Sequence, residues 1–346
     1  MASIAFLACN KRADRYLQDP SFIYRCMNLS LAAKELGHRV WSGHVSMLPW
    51  AQHWDVVVFH RPSANLRFKA TLAWLRLRGA RILADVDDLI MDPELAPFSP
   101  GVSNQLVGLH ATQKQFAANR DALACVDGVS VSTQPLAEQV RRVLPGVDVM
   151  VMPNAVHQSW WSLPLHPRDG AVKAITYLPG TRSHDRDFAE IAPAVARVLR
   201  RHPQVQLRVT GPLNFSLDAR AGQIIRKDKL PFDRYHDSFA GAAINLAPLE
   251  STPFTRCKSA LKVIEAAWWN VPTVCSDLPD AARFDGAGAQ RVSGVAEFED
   301  RLEHLLGDSA AYAALANGLR ERVRPLADIH ALTGSWLAFA LGRGQA

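Results

Sequence analysis

Residues 245–276 read NLAPLESTPFTRCKSALKVIEAAWWNVPTVCS. A short apolar run leads into a loop with Pro248 and Pro253, a helical pattern follows, and a second apolar run closes the stretch. In the helix predicted over 258–269, Leu261, Ile264 and Trp268 recur at spacings of three and four and form a buried face. Lys258, Lys262 and Glu265 fall at i, i+4 and i+7 on another face, two cations followed by a carboxylate. Thr255 is placed to cap the helix, so its first turn offers free backbone N–H groups beside Lys258 and Ser259, a site for an anion such as a diphosphate. Glu265, about 10 Å further along the axis at ~1.5 Å per residue, is placed to accept hydrogen bonds from a ribose. A surface helix with an ordinary Lys–Glu pair would show the same spacing.

Strand, helix and strand repeat on either side of this unit. Strands are expected at 4–8, 38–41, 56–59, 81–84, 128–132, 174–178, 205–210, 243–246 and 272–276, with helices such as 25–36 and 187–201 between them. The run Val56 to Phe59 is apolar throughout, as a strand covered on both faces must be. Around 149–167 the texture changes to Pro153, Asn154, Pro164 and Pro167 with Trp160 and Trp161 between, the mark of a linker. The expected fold class is therefore α/β, with two Rossmann-like domains facing each other across a cleft: residues 1–155, a linker over 156–170, and residues 171–325. A C-terminal helix within 326–346 is expected to pack back on the first domain.

Composition narrows the function. The 346 residues carry a net charge of +6, too mild for a nucleic-acid partner, and no apolar run approaches the length of a membrane span. Five scattered cysteines without a CxxC exclude a zinc motif or a disulfide framework and fit a reducing cytoplasm. Residues 61–81 hold Arg61, Arg67, Lys69, Arg76, Arg78 and Arg81 and no acid, interleaved with Leu66, Phe68, Leu72, Trp74, Leu75 and Leu77. That segment is either a peripheral membrane face or a solvated helix whose arginine stems cover apolar neighbours.

Two further groups carry chemistry. After the strand at 174–178, Gly180 permits close backbone approach to a phosphate, Arg182 and Arg186 can neutralise a departing diphosphate, and His184 can donate to a sugar or a phosphate. Asp187 reads as a cap of the following helix. Asp85, Asp87 and Asp88 stand at the end of a predicted strand, where acids of an open sheet face the cleft, with His60 and Arg61 at the end of the neighbouring one. The three acids could chelate a divalent metal or serve as the nucleophile and acid of a phosphatase, although Leu89 stands where that last motif needs Thr or Val, and a third role follows from the resemblance below.

The chain resembles the GT-B glycosyltransferases of family four. The resemblance rests on Pro248-Leu249, Phe254, Lys258-Ser259, Lys262, Glu265-Ala266-Ala267, Val271 to Val274 and Ser276. It extends to Met152 to Val156, to Tyr177 to Thr181 with Ser183 to Phe188, and to Asp85 to Leu89, in the family's order. It implies transfer of a hexose from a nucleoside diphosphate sugar to a glycan or lipid-linked acceptor, with retention, in bacterial surface polysaccharide synthesis at the inner face of the cytoplasmic membrane. No metal and no other cofactor is required in that scheme. Lys258, Ser259, Lys262, Arg182, Arg186 and Gly180 would hold the diphosphate, Glu265 the ribose and His184 the sugar, while Asp85, Asp87, Asp88 and His60 orient the acceptor. One departure stands out: the family's Glu-x7-Glu pair would place its first member at Cys257, leaving Glu250 on the preceding loop as the substitute carboxylate. Nucleotide-sugar epimerases and hydrolases share the fold, and the substitution also allows a degenerate, non-catalytic binding protein.

Overall fold

The computed structural model describes residues 1–9, 12–167 and 173–342, so the ends of the expected linker and of the chain lie outside it. Among the described residues twelve strands form two six-stranded parallel sheets. The first contains β1 (Ser3–Ala8), β2 (Arg39–His44), β3 (Val56–His60), β4 (Arg81–Val86), β5 (Gly128–Val131) and β6 (Val149–Val151), in the order β2-β1-β3-β4-β5-β6. The second contains β7 (Ala174–Tyr177), β8 (Gln206–Thr210), β9 (Ile224–Lys227), β10 (Ala242–Ala247), β11 (Thr273–Ser276) and β12 (Ala289–Val292), in the order β12-β11-β10-β7-β8-β9. Both sheets are parallel because every connection is long enough for a helical crossover. The central strands β1, β3 and β7 are buried along their whole length, which is why their sequences run apolar without alternation.

Register places the polar ends of the first sheet side by side. Ala8 pairs with His60, His60 with Asp85 and Asp85 with Ser130 along one row at the C-terminal edge.

Two segments distant in sequence complete the first domain. The helix Ile329–Ala340 buries Ile329, Trp336, Leu337 and Ala340 in one cluster with Ile4, Phe6 and Val58, and the Trp336 and Phe6 rings stack at 5.4 Å. Phe254 and Cys257, from the loop after β10, enter the core around Phe116, Leu136 and Ala137. At the second domain's cleft edge, Gly211 (φ +118) lies where a Cβ would come 2.5 Å from the Pro179 carbonyl oxygen, so only glycine fits.

Candidate functional site

Two adjoining cavities lie between the sheets, sharing His184, Leu261 and Lys262 as lining residues. The larger, about 550 Å³, is walled by Ile23 and Tyr24 of the first domain and by Gly180, Lys229, Phe232, Tyr235 and Glu265 of the second. The smaller, about 180 Å³, runs from Asp87, Asp88 and Asn154 to Lys258 and Ser259. Both lie off the C-terminal ends of their strands, where an open parallel sheet binds ligands.

The decisive helix is shorter than its pattern suggests. It spans Leu261–Trp268; Thr255 begins a separate 3-10 turn (Thr255–Cys257), and Lys258 is extended at φ −71, ψ 145. Thr255 therefore does not cap it. The Ala260 N–H donates instead to Asp280 Oδ2 at 2.8 Å, a tertiary contact that fixes the start of the helix. Lys258 and Ser259 precede the helix on the lining of the smaller cavity, while Lys262 and Glu265 face the larger one.

Glu265 is buried, with its Oε1 accepting from Tyr24 at 2.7 Å and its Oε2 from Tyr235 at 3.4 Å. Burial pushes its carboxyl up to about 7. Lys262 donates to the Leu178 carbonyl at 3.0 Å and sits 5.0 Å from the Tyr177 ring centre; burial lowers its ammonium to about 8. Tyr24 reaches Glu265 from an uncommon backbone, a π turn over Ile23–Met27 inside the first helical segment.

His184 lines both cavities, and burial, with Lys262 nearby, lowers its imidazole to about 4. Its Nδ1 lies 2.7 Å from Asp187 Oδ2. With the Nδ1 proton directed at Asp187, neutral His184 presents a lone pair on Nε2, so it accepts from a ligand hydroxyl and does not donate. Asp187 does not cap the helix Asp185–Arg201, because its carboxylate accepts from Glu250 N–H at 2.9 Å and orients His184.

The three acids are fully neutralised. Asp85 receives Arg25 through Nε at 3.1 Å and Nη2 at 2.7 Å, with Ser130 Oγ at 2.7 Å and His60 Nδ1 at 3.1 Å. Burial opposes its ionisation, but the Arg25 charge prevails and holds the carboxyl far below the usual range. Asp87 accepts from Arg61 Nε at 2.7 Å and Ser21 Oγ at 2.6 Å; burial again opposes, and Arg61 brings the carboxyl down to about 2. Asp88 bridges Arg61 Nη2 at 2.8 Å and, across the cleft, Lys258 Nζ at 2.7 Å. Arg61 serves both acids from a left-handed backbone (φ 50), which a non-glycine residue adopts only when its surroundings enforce it. His60, fully buried, spans Asp85 and Ser21, whose Oγ lies 2.9 Å from Nε2. Among the described residues each of the three carboxylates at this edge faces a cation, so none is placed as a free nucleophile.

Several expected site residues lie elsewhere. Arg186 is exposed and gives both Nε (3.0 Å) and Nη2 (2.7 Å) to Glu250 Oε1, and its N–H donates to Asn104 Oδ1 of the first domain. Neither it nor Glu250 lines the two cavities; both line a separate 310 Å³ hollow with Ser103 and Asn104. Arg182 points to solvent beside Asp185 at 3.4 Å. Trp160 is buried in the second core, so it is not free to stack on a sugar. Arg61 leaves the basic face of 61–81 for the acid pair, and Arg76 donates to the Cys125 carbonyl and to Asp127. Cys257 is a buried thiol, raised to about 11 by burial, and packs in the first domain's core and not on either cavity. Reading by motif missed Tyr24, Tyr235 and Ser21, whereas Asn154 falls within the Met152 to Val156 stretch and Arg25 at the start of the first expected helix.

No protein-family model and no curated protein matches the chain. Solved structures do. HepE of Anabaena, in complex with UDP and glucose, aligns with a TM-score of 0.61 at 12% identity over 98% of this chain and 99% of that one. TarM, from S. aureus, aligns at 0.58 and 10% identity over 82% of this chain, which spans about half (54%) of TarM's length. A Listeria monocytogenes structure assigned as a UDP-N-acetylglucosamine 2-epimerase aligns at 0.58 and 11% identity over 97% of this chain and 95% of that one. Transferases and an epimerase thus share one architecture, and the chain has that architecture, the GT-B fold of two facing parallel α/β domains.

Proposed function

We propose that the chain is a glycosyltransferase that moves a hexose from a nucleoside diphosphate sugar to a hydroxyl of a glycan or lipid-linked acceptor, with retention at the anomeric carbon. The observation that carries this reading is the convergence of Lys258, Lys262, His184 and buried Glu265 on adjoining interdomain cavities, opposite the acid row of the first domain. In this reading the larger cavity takes the nucleoside, with Glu265 on the ribose, and its size suits a nucleotide. Lys258, Ser259 and Lys262 meet the diphosphate and stabilise it as it leaves, so no metal is required. His184 accepts from a hydroxyl of the transferred sugar, and Asp87 and Asp88 orient the acceptor at the smaller cavity.

The acceptor side extends to a membrane. The helix Leu66–Leu77 exposes Leu66 and Leu77 at 88% each, with Arg67, Lys69 and Arg78 exposed beside them, a pattern that fits an anionic lipid surface on the cytoplasmic face and synthesis of a bacterial surface polysaccharide. Co-sedimentation with anionic but not zwitterionic vesicles is the expected result.

Thermal unfolding with UDP, GDP, ADP, CMP and their sugar conjugates, with and without magnesium, tests the donor site. A ligand at one hundred times its dissociation constant stabilises by about 2.7 kcal/mol. Magnesium-independent stabilisation by one nucleoside diphosphate, lost in Lys262→Ala and Glu265→Ala, is expected; no shift from any nucleotide would overturn the reading. The second reading, an epimerase or hydrolase, is favoured by the epimerase among the structural neighbours. Release of free nucleoside diphosphate without an acceptor distinguishes it.

A further inference from the structure

A second polar cluster lies where the linker meets the segment Phe232–Phe239. His166, His236 and Asp237 each present a ligand atom, and these atoms lie within 4.8 Å of one another. Asp237 Oδ1 is 3.3 Å from His236 Nδ1. Two ligands of a tetrahedral ion with bonds of about 2.0–2.1 Å stand about 3.3 Å apart, so this pair is already at coordinating separation.

The surroundings hold these side chains in place. His166 Nε2 is 2.9 Å from the His236 backbone carbonyl. A carbonyl only accepts, so Nε2 carries the proton and Nδ1 keeps its lone pair, as in metal-ligating histidines that give their other N–H to a backbone oxygen. Arg234 Nε holds Asp237 by Oδ2 at 3.0 Å, leaving Oδ1 toward the histidines. His236 Nδ1 is buried and makes no hydrogen bond, its one polar neighbour among these ligand atoms being Asp237 Oδ1 at 3.3 Å, and its ring stacks on Trp269 at 5.4 Å. A cation placed between this nitrogen and Asp237 Oδ1 would give both a partner.

We propose that His166, His236 and Asp237 form a structural site for a divalent transition metal of the zinc type, with water as fourth ligand. Two imidazoles and one carboxylate suit zinc or cobalt and disfavour magnesium and calcium, which take oxygen ligands. The other histidine-containing trio, Cys26, His60 and Asp85, is a poor competitor because Arg25 occupies both oxygens of Asp85. The ion would pin the linker to the segment that supplies Phe232 and Tyr235 to the larger cavity. Spacing hid the site, since the two histidines stand seventy residues apart.

Untagged, chelator-stripped protein titrated with cobalt(II) tests this without reference to turnover. One equivalent is expected to give visible ligand-field absorption, abolished by zinc(II) in competition and unaffected by millimolar magnesium. His166→Ala and His236→Ala should each remove the band while circular dichroism is unchanged, and Arg234→Ala should weaken binding about tenfold. X-ray absorption on the wild-type zinc protein should show a nitrogen/oxygen shell near ~2.0 Å. Absence of a band at one equivalent, bands undiminished in both histidine variants, or a sulfur shell would overturn the assignment.

Discussion

Replacing Glu265 by Gln is expected to make the protein more stable in mild alkali while removing a donor contact. Burial raises the carboxyl from 4.5 to about 7, against the opposing pull of Tyr24, Lys262 and Tyr235. In the unfolded chain the group titrates near its ordinary value. Between pH 4.5 and 7 the folded protein therefore holds a proton that the unfolded chain has lost, and stability falls as pH rises through that window. Above pH 7 the whole penalty stands, about 3 kcal/mol for the displacement from 4.5 to about 7. A glutamine escapes it. Its carbonyl oxygen still accepts from Tyr24, and the Tyr235 hydroxyl can turn to accept from the new amide. Glu265→Gln should thus match the wild type at pH 5 and exceed it at pH 8 by up to about 3 kcal/mol, read as thermal unfolding midpoints without nucleotide. A variant that loses as much stability at pH 8 as at pH 5, or more, would refute the claim that the folded protein strains this carboxylate.

Asp85→Asn leaves the Arg25 guanidinium buried opposite a neutral group, and a loss of about 3–5 kcal/mol in urea denaturation is expected; a loss below about 1 would show that the Met152 carbonyl and Asn154 suffice to hold Arg25. Asp88→Asn frees Lys258 from a partly buried ion pair, so calorimetry should find nucleoside diphosphate binding tightened by about 0.2–1 kcal/mol, at most about fivefold; weaker binding would mean that the acid does not compete with phosphate. Cys257→Glu inserts a carboxylate into the core around Leu136 and should lower the melting temperature without raising transfer; a gain in turnover would restore the family's Glu pair as the working arrangement.

Strands buried on both faces announced themselves. The run Val56 to Phe59 and the start of β7 needed no context, because an apolar run of that length has few other fates. The helix Asp185–Arg201 was visible through its period and its charge polarity. What failed was set by tertiary partners: the start of Leu261–Trp268 is decided by Asp280, twenty residues on, and no periodicity marks a π turn at Ile23–Met27. β9 and β12 were missed because edge strands such as Ile224–Lys227 and Ala289–Val292 are short and half polar. At the site, Lys258, Ser259, Lys262, Glu265, Gly180 and His184 could be placed on the cleft from motif spacing. Tyr24 and Tyr235 could not, since only folding brings residues 24 and 265 within hydrogen-bond reach. The same blindness put Arg186 and Glu250 at the cavity, when each was the other's partner.

The way the first domain borrows its cover has a consequence for synthesis. Phe6 emerges from the ribosome about 330 residues ahead of Trp336, which stacks on it. At about 5–20 residues per second that interval is roughly 15 to 60 s. For that time β1 and its neighbours carry an open apolar face, and the pocket for Phe254 and Cys257 stays unfilled until about 100 residues beyond β6 have been made. The nascent first domain is therefore a client for holding chaperones, and a stall late in translation would release a sheet without its lid.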